Sequence, residues 1–274
     1  MSDLDLFEAF ERVEPPPEQR PVGFFTDSSV CIGCKACEVA CKQWNELPSD
    51  GQSFTGMSYD NTVELNATTW RHVQFIEQHD SNGKLRWLFN SDVCKHCVDA
   101  PCENACPTGS LIRTEFDTVY VQQDICNGCG YCVVACPFGV VEVAHSDANN
   151  DGGAHKCTLC YDRLKDGLEP ACAKACPTDS IIFGDVEQLR EYAQRRVEVL
   201  QARGESSAQL YGMPADDHAL GGLNSFFLLM DEPEKYNMPR YPRSPKRALP
   251  KMYLWGLGTA IVVAAAMALV FDAD

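Results

Sequence analysis

The cysteines restrict the possible folds of this chain more than any other residue type. Sixteen cysteines occur in 274 residues. They form four groups of four with none left over: group one is Cys31, Cys34, Cys37 and Cys41; group two is Cys94, Cys97, Cys102 and Cys106; group three is Cys126, Cys129, Cys132 and Cys136; group four is Cys157, Cys160, Cys172 and Cys176. This share is too high for an ordinary cytosolic enzyme, and the chain is too long for a small disulfide scaffold. We therefore expect the cysteines to be ligands or bridges.

The spacing within groups one and three indicates the ligand chemistry. Both follow Cys-x2-Cys-x2-Cys-x3-Cys, the bacterial ferredoxin spacing, in which three thiolates bind one cubane and the fourth binds the cubane of another group. Pro107, Pro137 and Pro177 follow the last cysteine of groups two to four, as in ferredoxins, whereas Lys42 has that position in group one. The pattern predicts four 4Fe-4S clusters with all sixteen cysteines as iron ligands.

Two other uses of cysteine remain as alternatives at this point. A zinc tetrahedron is closed by two Cys-x2-Cys pairs and has no place for the third cysteine that follows in groups one and three. Disulfides between cysteines so close in sequence would be strained, and they do not explain four groups of four. Both alternatives fit the pattern less well than iron–sulfur clusters do.

The lengths of the intervening segments indicate how the groups pair. Only residues 107–125 separate groups two and three, which suits one two-cluster unit, whereas residues 42–93 separate groups one and two. We therefore expect group one to pair with group four, with sequential pairing as the alternative. The expected ligand sets are Cys31, Cys34, Cys37 and Cys176; Cys157, Cys160, Cys172 and Cys41; Cys94, Cys97, Cys102 and Cys136; and Cys126, Cys129, Cys132 and Cys106.

Repeated motifs and apolar patterns favour an α+β fold made of duplicated two-cluster, ferredoxin-like domains. Cys-x-Gly-Cys occurs in groups one and three, and Cys-Pro-Thr-x-Ser occurs in groups two and four. The insertion 42–93 contains two β-prone segments, Val73–Glu77 and Leu85–Phe89, on either side of Asn82-Gly83, so we expect strands around a turn.

The remaining segments divide the chain into domains. Asp185 is a predicted N-cap for a helix with apolar residues at three- and four-residue intervals, and Gly204 is expected to end it. Residues 231–250, rich in proline and basic groups, are interpreted as a linker. The predicted domains are an acidic arm (1–23), the four-cluster domain pair (24–184), a helix with a basic linker (185–250) and a transmembrane anchor (251–272).

The anchor is predicted from a long apolar segment near the C-terminus. Met252–Phe271 contains 20 residues without a charge, enough to span about 30 Å as a helix, which matches the hydrocarbon core of a bilayer. Tyr253 and Trp255 lie at one end, as in an aromatic belt. The alternative is a buried terminal helix of a soluble protein.

Charge excludes one class of partner. The chain has 23 Lys and Arg residues against 39 Asp and Glu residues, a formal charge of −16, so it is not expected to bind nucleic acid, which requires clustered basic residues. The N-terminal segment lacks the basic start and apolar core of a signal peptide, and we expect no export signal on this chain.

Lysines adjacent to the cysteines have two possible roles. Lys35, Lys95 and Lys156 lie next to predicted ligands, and their charge could raise a cluster's reduction potential. Solvated side chains are the expected alternative. No phosphate-binding loop, nucleophile elbow or paired acid site occurs, so chemistry beyond electron transfer is expected in another chain.

Several segments together resemble the iron–sulfur (beta) subunit of membrane-bound formate dehydrogenases. They are Cys31–Asn45 (CIGCKACEVACKQWN), Ala67–Trp70 (ATTW), Lys156–Arg163 (KCTLCYDR) and Glu169–Cys172 (EPAC). The similarity extends over residues 24–245, and the single C-terminal apolar helix agrees with it. The four-group pattern is shared by a wider set of electron-transfer subunits of molybdopterin oxidoreductases.

The resemblance implies a non-catalytic subunit of a complex of anaerobic respiration. A molybdenum- or tungsten-pterin catalytic (alpha) subunit would oxidise formate, and four 4Fe-4S clusters here would pass electrons to a membrane cytochrome b (gamma) subunit and to quinone. The resemblance also implies the nested pairing above, with the Cys31 cluster toward the catalytic subunit. Alternatives are the same relay in another molybdopterin oxidoreductase or hydrogenase, and a free-standing polyferredoxin.

The resemblance also implies a location at the cytoplasmic (inner) membrane, with the anchor in contact with lipid. Basic residues precede the apolar helix and acidic residues follow it, which favours a cytoplasmic cluster domain by the positive-inside rule. Members of the family are nevertheless often exported already folded, together with a catalytic subunit that carries the signal. We expect the cluster domain on the outer (periplasmic) face.

Overall fold

The computed structural model describes residues 20–49, 54–56, 59–79, 83–144, 152–214 and 220–271. Its strands are β1 (Val22–Asp27), β2 (Arg71–His79), β3 (Leu85–Val93), β4 (Leu111–Arg113), β5 (Val119–Val121), β6 (Glu142–Val143), β7 (Ala154–His155), β8 (Ile181–Asp185), β9 (Gln209–Tyr211) and β10 (Ser225–Leu229). Its helices are α1 (Ala36–Trp44), α2 (Pro101–Asn104), α3 (Tyr131–Ala135), α4 (Tyr161–Lys165), α5 (Ala171–Lys174), α6 (Val186–Ala202) and α7 (Leu249–Phe271).

A four-stranded mixed sheet in the order β8-β1-β10-β9 forms the largest layer. The strand β1 pairs antiparallel with β8 and parallel with β10, so segments from the two ends of the cluster region meet in its centre. Every residue of β1 and β10 is buried, as expected for strands covered on both faces. The side chains of Phe25 and Phe226 pack together here with ring centroids 5.5 Å apart.

The helix α6 covers one face of this sheet. Asp185 caps it as predicted, because its carboxylate accepts hydrogen bonds from the backbone N–H groups of Glu187 and Gln188. Leu189 and Ala193, on the predicted apolar stripe, are buried against β1 and β8. The chain leaves the helix through Gly204, whose φ of +98° suits glycine.

Residues of the insertion form a second layer. Here β2 and β3 pair antiparallel over their full length, from Arg71 opposite Val93 to His79 opposite Leu85, and they include the two segments with predicted strand character. Asn82 of the predicted turn lies outside the described residues. The base of this hairpin is buried and lies against α1, which brings its first residues close to group one.

Two predicted boundaries require correction. The predicted arm ends at residue 23, but Val22 and Gly23 belong to the buried strand β1; residues 1–19 lie outside the described residues. The predicted linker, residues 231–250, is partly folded. Tyr236 is completely buried, and its hydroxyl accepts a hydrogen bond from Met230 N. The proline and basic composition concealed this aromatic anchor.

The C-terminal helix α7 begins at Leu249, two residues before the predicted anchor. It is the one helix among the described residues that is long and apolar enough to cross a membrane, and none of that apolar stretch is buried against the rest of the protein. The described residues therefore do not bury this helix, as the alternative interpretation would require. A 3₁₀ turn at Pro245–Ala248 packs against α2 immediately before α7.

Candidate iron–sulfur centres

All four cysteine groups begin with the same backbone turn. The residue before the second cysteine is left-handed in every group, with φ of +66° at Gly33, +42° at His96, +67° at Gly128 and +55° at Leu159. This conformation turns the chain so that the first two thiols of a group can point to one side. The repetition gives structural support to the duplication predicted from the sequence.

Each group then contains a helix at its third cysteine. The last two cysteines of each group are four residues apart, which is about one helical turn. The third cysteine lies within α1, α2, α3 or α5, and the fourth lies in the same helix or at most two residues beyond its end. One turn of helix therefore separates the third cysteine of a group from the fourth, which can project toward a different set of thiols.

The positions of the fourth cysteines follow this arrangement. Cys41 lies near the thiols of group four, since Cys157, Cys172 and Cys160 act electrostatically on it. In the same way Cys176 acts on Cys31 and Cys106 acts on Cys132. The thiol of Cys97 is surrounded by Cys94, Cys102 and Cys136. Each fourth cysteine thus lies near at least one thiol of the group with which it is expected to pair.

The cysteines of one set line a common cavity. Its lining includes Cys94, Cys97, Cys102 and Cys136, three from group two and one from group three. The remaining wall is largely apolar and includes Ala100, Pro101, Val119, Pro137, Phe138, Val140 and Val141. Among the described residues, no three Cys, His, Asp or Glu side chains converge closely enough to hold a single metal ion. Four thiols contributed by two groups to one largely apolar space are the ligand set that an iron–sulfur cluster requires.

Burial holds most of these thiols in the protonated state when no metal is bound. Removal from water raises the pKa of Cys37, Cys102 and Cys160 to about 12 each, and it raises the pKa of Cys41 well above the usual thiol value. Iron must therefore displace these protons when the clusters assemble. None of the sixteen cysteines forms a disulfide in the described structure, which agrees with their predicted use as ligands.

Cys106 has a more polar environment than the buried thiols. Burial raises the pKa of this thiol, but hydrogen bonds from Ser110 and from the backbone N–H of Leu111 outweigh that effect and lower the pKa to about 6. The Ser110 hydroxyl is 3.3 Å from the sulfur. Backbone N–H groups also point at sulfur elsewhere, from Leu159 to Cys157 and from Ala154 to Cys126, at 3.3 Å each. Such donors stabilise thiolates and tune cluster potentials.

The lysines next to the cysteines divide into two classes. Lys95 and Lys156 are 1% and 2% exposed, so the expectation of solvated side chains is wrong for both. Lys95 forms an ion pair with Asp92, and Lys156 donates to the carbonyl oxygen of Cys157 at 2.9 Å. Lys35 is partly exposed and forms an ion pair with Asp60 at 3.0 Å. Local sequence did not indicate burial, because residues distant in the chain contact these side chains. Lys95 lies over the rings of Phe138 and Phe227, and Lys156 donates to the carbonyl oxygen of Val119.

The structure also contains charged and polar groups near the cysteines that the sequence did not single out. Arg71, the first residue of β2, is completely enclosed, and its Nη1 donates to the Ser91 hydroxyl at 2.9 Å. That hydroxyl lies 3.2 Å from the sulfur of Cys37. Their only sequence signal was the position of Arg71 directly after the Ala67–Trp70 motif.

Exposure distinguishes the two ends of the arrangement. Cys34 of group one and Cys129 of group three are exposed, whereas the first two cysteines of groups two and four are buried. Exposed apolar side chains also occur in these two groups, Ile32 at 58% in group one and Val134 at 88% in group three. Two thiol sets therefore reach the surface, and two lie in the interior.

Two sequence-family profiles match this region, and both are described as a 4Fe-4S dicluster domain. One covers residues 30–110 and the other covers residues 85–186. The formate dehydrogenase iron-sulfur subunit of Haemophilus influenzae is 39% identical over 249 residues, which are 88% of this chain and 77% of that protein. This protein belongs to the family of formate dehydrogenase iron–sulfur subunits.

Other relatives are consistent with this membership. The nitrate-inducible formate dehydrogenase iron-sulfur subunit of Escherichia coli is 39% identical over 251 residues, 89% of this chain and 81% of that protein. The B subunit of the anaerobic dimethyl sulfoxide reductase of Escherichia coli is 35% identical over 169 residues, 62% of this chain and 76% of that protein. As a member of the formate dehydrogenase iron–sulfur family, this chain is an electron-transfer subunit with four 4Fe-4S clusters, as predicted.

Proposed function

We propose that this chain passes electrons from the catalytic subunit of a formate dehydrogenase to a membrane cytochrome b, and from there to quinone. The catalytic subunit would hold molybdenum or tungsten on a pterin cofactor and oxidise formate. The similarity to formate dehydrogenase subunits over 88–89% of this chain carries the proposal. The match to the dimethyl sulfoxide reductase subunit covers only 62%, which makes that complex the second candidate.

Purification of the native complex tests this proposal. We expect the chain to copurify with a large pterin-containing subunit and a haem-containing membrane subunit, and the complex to reduce a viologen dye with formate. Dimethyl sulfoxide, tetrathionate and hydrogen are the matched alternative substrates. A complex that reacts with one of these and lacks formate-dependent dye reduction would contradict the proposal.

We further propose that the sixteen cysteines bind four cubanes in the nested sets, with group one paired to group four and group two paired to group three. The supporting observation is that the electrostatic neighbours of Cys31, Cys41, Cys97 and Cys132 each include a cysteine from the paired group. Each cubane supplies one-electron redox chemistry when bound. The protein's part is to hold the four clusters in a fixed order.

The order of the four clusters follows from the helices and contacts that link one ligand set to the next. Cys37 and Cys41 lie in α1 and connect the Cys31 set to the Cys157 set. Cys157 in turn is acted on electrostatically by Cys94, which connects the Cys157 set to the Cys94 set, and α3 connects that set to the Cys126 set. The relay would therefore run between the exposed Cys34 and the exposed Cys129. The segment before α7 packs on α2, which supports the Cys129 end as the one near the membrane.

Serine substitutions of fourth cysteines test the ligand sets. Cys106→Ser is expected to change the spectrum of the Cys126 cluster, and Cys41→Ser that of the Cys157 cluster. Cys34→Ser and Cys129→Ser serve as matched variants, because each identifies the spectrum of one outer cluster. If Cys106→Ser alters the cluster identified by Cys34→Ser instead, the nested pairing is wrong.

We also propose that α7 anchors the chain in the inner membrane with the cluster domain on the periplasmic face. Length and composition of α7 support an anchor. The basic residues before it favour the opposite face, but the positive-inside rule describes translocated loops, and a domain loaded with clusters folds before insertion. Protease added to intact spheroplasts should digest the cluster domain, with a cytoplasmic protein as control. An undigested domain would contradict the periplasmic orientation.

A further inference from the structure

Arg71 is a buried cation without a carboxylate partner. The side chain is 1% exposed, and none of the ion pairs among the described residues includes it. Its Nε and Nη2 atoms are buried and have no hydrogen-bond partner. An isolated buried charge is very costly, so a group of opposite charge is required close to this guanidinium.

The immediate neighbours of Arg71 do not supply that charge. Its Nη1 donates to the hydroxyl of Ser91 at 2.9 Å and to the Ser91 carbonyl oxygen at 3.3 Å. On another side the guanidinium carbon lies 4.8 Å from the centre of the Phe24 ring. These contacts fix the orientation of the side chain, but each of them is neutral.

The negative charge comes from cysteines of two different ligand sets. The cysteines that act electrostatically on Arg71 are Cys172, Cys37, Cys157 and Cys41, and each becomes a thiolate when it binds iron. In the proposed sets, Cys37 belongs to the outer Cys31 cluster, and the other three belong to the inner Cys157 cluster. Arg71 therefore lies beside the first two clusters of the relay, and Ser91 connects it to Cys37 through the 3.2 Å contact.

We propose that Arg71 is the shared counter-ion of these two clusters and raises the reduction potential of both. The inference rests on the proposed ligand sets. Reduction adds one negative charge to a cubane, and a fixed cation nearby stabilises that charge. Because the site is dry and Arg71 has no carboxylate to neutralise it, little screening reduces the effect. Arginine remains charged at any pH at which the protein is folded.

A redox titration of the purified complex, followed by electron paramagnetic resonance, tests the inference. Arg71→Met removes the charge and retains apolar volume, Arg71→Gln removes the charge and retains donors, and Arg71→Lys retains the charge. The matched control is Arg86→Gln, which removes a charge at the far end of the same hairpin, where Asp231 pairs with it and water reaches it.

In Arg71→Met and Arg71→Gln we expect the ratio of reduced to oxidised cluster, at a fixed solution potential, to fall at least tenfold for the Cys31 and Cys157 clusters. A tenfold change corresponds to about 59 mV for a one-electron couple. The Cys94 and Cys126 clusters serve as internal references and should change less than twofold, as should all four clusters in Arg86→Gln. Arg71→Lys should shift the two clusters by less than half as much as Arg71→Met.

The other possible results of these substitutions also test the counter-ion role of Arg71. If the neutral variants lose the iron of these two clusters while Arg71→Lys keeps it, the positive charge is required for assembly, which supports the counter-ion role. If Arg71→Lys loses the same iron as Arg71→Met, the role is one of packing and the inference is wrong. Unchanged potentials in a fully loaded Arg71→Met also overturn it. A wild-type complex without four clusters would instead contradict the proposed function.

Discussion

The outer cysteine loops, in groups one and three, differ from the inner loops, in groups two and four, at one corresponding residue. Before the second cysteine the outer loops have Gly33 and Gly128, whereas the inner loops have His96 and Leu159, although all four residues have a positive φ. The second cysteine is exposed in the outer loops and buried in the inner loops. The same backbone turn is thus built with glycine at the surface and with a large side chain in the interior.

Side-chain packing explains why the outer loops have glycine at this position and the inner loops have a larger residue. Backbone preference alone does not explain it. A left-handed residue other than glycine costs roughly 1–2 kcal/mol, which the inner loops offset by contacts. The ring of His96 accepts a hydrogen bond from Val119 N at 3.1 Å, and Leu159 is fully buried. In the outer loop of group three a side chain has no room, because a Cβ on Gly128 would lie 2.2 Å from the carbonyl oxygen of Gly152. Glycine is therefore required there by close approach as well as by conformation.

The largest expected effect is that of Gly128→Ala. The added methyl group would collide with backbone atoms that cannot move aside independently, so we expect loss of the cluster assigned to Cys126, Cys129 and Cys132. Gly33→Ala should be milder, costing about 1–3 kcal/mol, because its nearest contact is the side chain of Phe89 at 2.9 Å. Iron content and resonance spectra of the purified complex measure both effects.

Gly130→Ala is the matched control for the steric collision expected in Gly128→Ala. Gly130 lies in the same loop with a φ of +76°, but a Cβ there would meet nothing within 4 Å. The Gly130→Ala variant should therefore be destabilised by only about 1 kcal/mol, the cost of placing alanine at a positive φ, and it should keep the cluster. If Gly130→Ala loses the cluster as readily as Gly128→Ala, conformation alone explains the outer glycines and the packing argument fails.

A second expected effect distinguishes the two outer loops from each other. In group three, Pro137 follows Cys136, whose extended backbone ends α3. In group one, Lys42 allows α1 to continue to Trp44. Lys42→Pro would place proline inside that helix and should cost about 3 kcal/mol or more. Pro137→Ala should cost less than about 1 kcal/mol, mainly through the unfolded chain.

Denaturant midpoints, followed through the visible absorbance of the clusters, measure this difference. Lys42→Ala is the control for loss of the lysine side chain, whose Nζ donates to the Pro48 carbonyl oxygen at 3.0 Å. If Lys42→Pro and Lys42→Ala have equal midpoints, proline at residue 42 does not disrupt α1, and the prediction is wrong.

Much of this arrangement could be predicted from sequence because it is local. The spacing of the cysteines predicted the cluster loops, and the cap residue Asp185 predicted the start of α6. The apolar segment predicted α7. In each case the residues that determine the structure are neighbours in the chain, so a short pattern contains the information.

Other features could not be predicted because distant segments create them. The strand β10 lies beside β1 in the central sheet, but the segment Ser225–Leu229 carries no local sign of that parallel pairing. Arg71 is an ordinary basic residue in sequence, and it is removed from water because the hairpin β2-β3 packs against α1 and the guanidinium lies against the Phe24 ring. The glycine and non-glycine loops also differ through contacts with remote residues.

The smallest expected effect tests whether the inner loops offset a real conformational cost. Both His96→Ala and His96→Gly leave the buried N–H of Val119 without its acceptor, which should cost about 1–3 kcal/mol relative to the wild type. His96→Gly should nevertheless be the more stable of the two by about 1 kcal/mol, because glycine adopts a φ of +42° without strain. Denaturant midpoints of cluster bleaching rank the variants.

Val199→Ala and Val199→Gly in α6 are the reference pair for this comparison. Glycine is less stable than alanine in a helix interior by about 1 kcal/mol, so the order of the two substitutions should reverse between α6 and the group two loop. A reversal isolates the left-handed backbone as the cause, since both pairs differ by the same methyl group. If alanine is the more stable residue at both positions, the turn imposes no cost on a side chain, and the outer glycines are explained by close approach alone.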